Sequence, residues 1–122
     1  MSSGQRGEGP AQWLARVAAH DPAVLEPAPG PAADNIDLSG LDVRTHALVR
    51  LAALVAAGQG GDPATAYDQH VTTALDSGVT SDEIAGVLAA LLPVAGTARV
   101  AAAAPLVLAA LGRAIADCPD GR

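Results

Sequence analysis

Three histidines, His20, His46 and His70, are the side chains in this chain most suited to moving protons near neutral pH. An unperturbed imidazole titrates at about 6.5, so both of its protonation states are available to chemistry there. The three show no HExxH or other short ligand spacing, which gives no reason to expect a metal. Cys118 is the single cysteine, so there is no CxxC, no intrachain disulfide and no thiol pair for redox work. A serine nucleophile elbow, a Walker loop and a dinucleotide fingerprint are all absent. General acid or base chemistry therefore falls most naturally to His70, the alternative being a hydrogen-bonded structural histidine. His46 and Arg50 stand four residues apart on a helical pattern; they are either solvated or in contact with an acidic ligand or a neighbouring subunit.

The elements that must position these groups are helices. Asp62 and Pro63 form an N-cap and first-turn signal, and Tyr67, Val71 and Leu75 run beside Ala66, His70 and Ala74 as two adjacent rows at helical spacing. Gly78 stops that helix, and Thr80 with Glu83 three residues later restarts the chain in a capping box. A preceding helix is predicted over 42–57, with Leu48, Leu51, Ala52 and Val55 inward and Gly58 as its stop. After Thr80, Ile84, Val87, Leu88, Leu91 and Leu92 mark a buried face, and Pro93 bends the end before Gly96. The final helix is predicted over 97–116, with Val100, Ala104, Val107, Leu108, Leu111 and Ile115 inward and Pro105 kinking or interrupting it. Its other faces are almost as apolar, which implies burial between helices or between subunits.

The organisation that follows is a disordered tail over 1–9, a short helical segment with a Pro- and Gly-rich connector over 10–40, a helical core over 41–116 and a tail over 117–122. Within the second part, Trp13, Leu14 and Val17 mark a short helix and Asp21-Pro22 begins a further turn. Trp13 either packs on the body or plugs a pocket or subunit boundary. No alternating run is long enough for a strand, so the fold class is all-α, a compact antiparallel helical protomer.

Composition narrows the partners. Half the residues are apolar, yet there is no Phe and only one Trp, one Tyr and one Met, so volume comes from Leu, Val, Ile and Ala. With no Lys, seven Arg and a net charge of −6, the chain repels nucleic acid and anionic membranes in general. The start MSSGQRGEGP lacks the apolar run of a secretory signal, and Arg99 divides the two apolar stretches near the C-terminus. The expectation is a soluble, cytoplasmic protein that enlarges its small core by self-association.

Three segments carry a resemblance to a known family: LDVRTHALVRLAAL at 41–54, HVTTALDSGVTSDEIAGVL at 70–88, and PVAGTARV at 93–100. Together they resemble the carboxymuconolactone decarboxylase-like family of the alkyl hydroperoxidase D-like all-helical superfamily. The middle segment is the most specific, because it joins a histidine, a glycine turn and a T-x-x-E-I helix start in order. The resemblance implies a trimer or hexamer with its site near an interface, and it makes His70 the leading catalytic candidate. Peroxidase-type relatives carry CxxC before the matching histidine, but Pro63 and Ala66 stand there, so a thiolate cycle has no nucleophile.

The decarboxylase branch needs neither those cysteines nor a cofactor. Its implied substrate is γ-carboxymuconolactone, a small carboxylated lactone. In that chemistry His70 donates a proton or stabilises charge, and an arginine holds an acidic substrate group. Arg44 matches a basic position of the family pattern, Arg50 is the second candidate, and Tyr67 lines the same pocket. Ala47 replaces an acidic residue common in the family, and Thr45-His46 replaces its T-R-like pair. The competing reading is a noncatalytic structural or small-molecule-binding homo-oligomer of the same fold, with isomerisation or hydration of a related small acid as a third.

Overall fold

The computed structural model describes residues 8–25, 36–58 and 61–116, which group into two units, 1–42 and 43–122. Residues 1–7 of the expected 1–9 tail, residues 26–35 of the connector and the 117–122 tail with Cys118 lie outside the described residues.

In the first unit, α1 (Pro10–Ala18) starts on a proline whose missing N–H costs nothing at that position. Arg16 ties its end together, reaching Glu8 at 3.0 Å and Asp21 at 3.0 Å. These salt bridges hold the Arg16 pKa up and, after a backbone hydrogen bond from Ala23, help hold that of Asp21 down. His20 leaves α1 at φ 58 and therefore sits in a turn. Trp13 is half-buried, and α2 (Pro22–Leu25) supplies the expected extra turn. A further short helix, α3 (Ile36–Ser39), lies where the composition had read as connector.

The second unit is a bundle of α4 (Val43–Ala57), α5 (Pro63–Asp76), α6 (Ser81–Ala95) and α7 (Thr97–Ala116). The start of α5 is capped by Asp62, whose carboxylate accepts from the Thr65 backbone N–H at 3.3 Å and from its hydroxyl at 2.8 Å. Those bonds hold the Asp62 pKa below the usual carboxylate range. Gly78, at φ 94, ends the segment in the left-handed region that a side chain would resist. The Thr80–Glu83 capping box forms in both directions: the Thr80 hydroxyl accepts from the Glu83 N–H at 3.1 Å, and the Glu83 carboxylate accepts from the Thr80 N–H at 2.9 Å. The described residues contain no strand.

α5 packs most extensively on α7, and α4 packs on both α5 and α6. Leu51 of α4, Val71 of α5 and Ile84 of α6 are the largest side chains wholly removed from solvent. Around them lie Ala47, Leu54, Val55, Ala66, Ala74, Val100, Ala103, Val107 and Ala110. The abundance of alanine brings the helices close, since little side-chain volume separates them.

One expectation about α7 is narrowed and another is corrected. Pro105 does not interrupt the helix, which runs unbroken to Ala116. The carbonyl deprived of a partner by Pro105 is that of Ala101, and both residues face solvent, where water can satisfy it. Its inward row is Val100, Ala103, Val107 and Ala110, whereas Leu108 is 72% exposed and Ile115 43% exposed. With apolar residues on nearly every face, periodicity had no polar side to exclude. Similarly, Leu92 of α6 is 43% exposed and Val94 is 79% exposed, while Leu88 and Leu91 pack against the core. By length and composition alone, α7 is long and apolar enough to cross a membrane.

Candidate functional site

The 3.6-residue repeat sets which functional groups meet. On α4, His46 and Arg50 are one turn apart and flank the buried row that includes Ala47, Leu51 and Leu54. His46 is itself buried, only 8% exposed, which disposes of the solvated alternative. On α5, His70 is half-buried beside the inward residues Ala66, Val71 and Ala74. The pairing of α4 with α5 brings Arg50 near both imidazoles.

Electrostatics follow from that meeting. Burial pushes the His70 pKa down, and the Arg50 charge pushes it further the same way. His46 is lowered by the same two causes in the same order. Each effect disfavours the charged imidazolium, so at neutral pH both rings are neutral, with one ring nitrogen able to donate and the other to accept. The cluster thus combines a fixed cation with two neutral imidazoles, a set that can receive an anion and move a proton. Among the described residues no three His, Cys, Asp or Glu side chains converge as a metal would require.

Arg44 and Tyr67 lie elsewhere. Arg44 forms an ion pair with Glu83, whose other carboxylate oxygen belongs to the capping box of α6, and thereby links α4 to the start of α6. Tyr67 is buried at 5% exposure and lines a pocket of about 270 Å³. Leu54 and Val55 of α4, Pro63 of α5, and Arg99 and Leu106 of α7 also line it. Among the described residues its lining contains neither His70 nor Arg50. Burial raises the Tyr67 pKa, so its hydroxyl stays protonated at neutral pH. The four sequence candidates therefore separate into His70 with Arg50, Tyr67 in the pocket, and Arg44 with Glu83.

Two residues are placed by the structure where the sequence left them undecided. His46 had only its four-residue spacing to Arg50 as a signal, which does not distinguish a buried position from a solvated one. Arg99 stood out only as a charge between apolar runs; its place at the pocket follows from the packing of α7 on α4 and α5.

An all-helical bundle with a histidine on its second long helix is the setting expected from the family resemblance; the arginine of the first helix beside that histidine is this chain's own arrangement. The chain belongs to the carboxymuconolactone decarboxylase family, whose model matches residues 32–109, well over half of its length. No curated protein and no solved structure matches it.

Proposed function

We propose that this protein is a cofactor-independent lyase acting on a small carboxylated lactone of the γ-carboxymuconolactone type, with His70 as proton donor and Arg50 as the carboxylate-holding group. The observation that carries the reading is the approach of Arg50 to a half-buried His70 in a chain of this family. In the reaction the bond to the departing carboxylate breaks as carbon dioxide leaves. Its electron pair delocalises through the conjugated lactone towards the ring carbonyl as a dienolate, and a proton is then delivered to carbon. Departure requires the carboxylate to lie out of the ring plane, so a second, retained acidic group is the natural handle for Arg50.

The lowered His70 pKa fits this role when substrate charge is included. A carboxylate bound at Arg50 offsets the repulsion between guanidinium and imidazolium, so substrate binding favours uptake of the proton that His70 then donates. His46, buried on the far side of Arg50 in sequence, adds a second neutral hydrogen-bonding ring to the same cluster. Arg44 reaches substrate in this scheme only by leaving Glu83.

Self-association as a trimer or hexamer belongs to the same proposal. The outward residues Val94, Leu108 and Ile115 leave apolar area uncovered in a protomer whose core contains no Phe. A second copy suits that face better than lipid, because Arg99 near one end of α7 and the Arg113 pair with Asp68 at 2.7 Å near the other put charge along the helix. The setting that fits such a protein is the cytoplasm.

The test is to incubate the purified full chain with γ-carboxymuconolactone and follow lactone conversion together with carbon dioxide. Both should form, and His70→Gln should lower turnover about 100-fold or more while oligomer size is kept. Arg50→Gln should weaken kcat/KM by about tenfold or more. A folded assembly that forms neither product overturns the lyase reading in favour of a noncatalytic binding assembly.

A further inference from the structure

The pocket between α4, α5 and α7 holds an unused pair of polar groups. Tyr67 is buried, yet its hydroxyl has no hydrogen-bond partner among the described residues, and it does not figure among wholly enclosed orphan atoms. The residue lines the pocket, and its hydroxyl is not wholly enclosed. Arg99, also in the lining, has no ion pair or hydrogen bond among the described residues, although the chain is strongly acidic. The rest of the lining is apolar or small, with Leu54, Val55, Pro63 and Leu106 as its larger side chains.

That combination defines a ligand chemistry. A cation at the edge and a neutral hydroxyl donor suit one carboxylate, and the apolar walls suit a compact ring or short alkyl body. A volume of about 270 Å³ admits a molecule of that kind. A dicarboxylate would leave its second charge against hydrocarbon, and a neutral analogue would leave Arg99 without its counter-charge.

We infer that the Tyr67–Arg99 pocket is a binding site for a small apolar monocarboxylate, distinct from the His70–Arg50 cluster. Arg99 supplies the charge and Tyr67 a hydrogen bond that fixes the carboxylate's orientation. The site stands whether or not His70 performs chemistry, because no residue is shared between them.

The experiment titrates the full chain with benzoate, and separately with benzamide, following amide and side-chain resonances by two-dimensional NMR. Benzoate should saturate with shifts centred on Tyr67, Arg99 and Leu54, and benzamide should bind at least about tenfold more weakly. Arg99→Gln should weaken benzoate about tenfold or more, and Tyr67→Phe about threefold to tenfold. Arg113→Gln, an equal change of charge on the same helix, should leave the affinity unaltered. The proposal fails if benzoate produces no saturable shift, if benzamide binds equally well, or if Arg113→Gln weakens binding as much as Arg99→Gln. It also fails if the shifts centre on His70 and Arg50, a result that would instead favour the lyase site.

Discussion

Leu108→Asp tests whether the outer face of α7 is an interface between copies. Fully burying a leucine gains about 1.5–3 kcal/mol relative to leaving it exposed. Leu108 is 72% exposed in the protomer, so most of that gain is still to be made. Covering it against a second copy should contribute about 1–2 kcal/mol per chain, by the same area relation. An aspartate in its place forfeits the gain and adds the cost of desolvating an unpaired carboxylate, at least about 2 kcal/mol more. The swing of at least about 3 kcal/mol corresponds to more than about a hundredfold in association constant. Within the isolated protomer the change should cost only about 0.5 kcal/mol, the difference in helix propensity at an exposed position.

Sedimentation velocity on both proteins across a range of concentrations supplies the assay, with circular dichroism to verify helix content. The wild type should sediment as a trimer or hexamer and Leu108→Asp as a smaller species with its helices intact. An interface elsewhere is the conclusion if both proteins form the same oligomer. A wild type that remains monomeric throughout refutes the self-association argument, and one that stays in solution only with detergent points to lipid on the same face.

Other consequences concern pH and stability. His46 and His70 both titrate below their ordinary 6.5 in the folded protein, so in the window beneath that value the unfolded chain binds more protons. Their contribution is complete above about 6.5 and is lost as pH falls through that window, so thermal melts should show Tm dropping on acidification, with a shallower drop in the His46→Gln, His70→Gln double variant. Leu51→Ala, at a position wholly buried between helices, should cost about 2.7–5 kcal/mol by urea denaturation, whereas a loss under about 1 kcal/mol would contradict the packing described. Thr80→Ala removes the hydroxyl that accepts from the Glu83 N–H and should cost about 1 kcal/mol in the same assay; an unchanged midpoint would mean that the capping box is not formed in solution.

Much of the fold was legible because its signals are local. Asp62-Pro63, Gly78 and the Thr80–Glu83 pair act through backbone geometry and hydrogen bonds within a few residues, so they mark helix ends without knowledge of the neighbours. The spacing of Leu51 and Val71 likewise put them inward. The same reasoning faltered on α7, where apolar residues on almost every side make the buried row a question of where α5 sits. Leu108 and Val107 are adjacent and equally apolar, yet one is exposed and the other buried.

For the site, the sequence by itself determined the inventory: one imidazole on the second long helix, no thiol pair beside it, and arginine as the only strong cation. It could also rank His70 first, through the family resemblance of the segment that it opens and not through any pKa difference among the three imidazoles. Tertiary structure alone decided the company each group keeps. Packing of α4 on α5 brought Arg50 to His70 and buried His46, the start of α6 engaged Arg44 through Glu83, and α7 set Arg99 at the pocket of Tyr67. Those meetings join residues far apart in the chain. Charge repulsion, desolvation and ion pairing depend on distance in space, which no local pattern encodes.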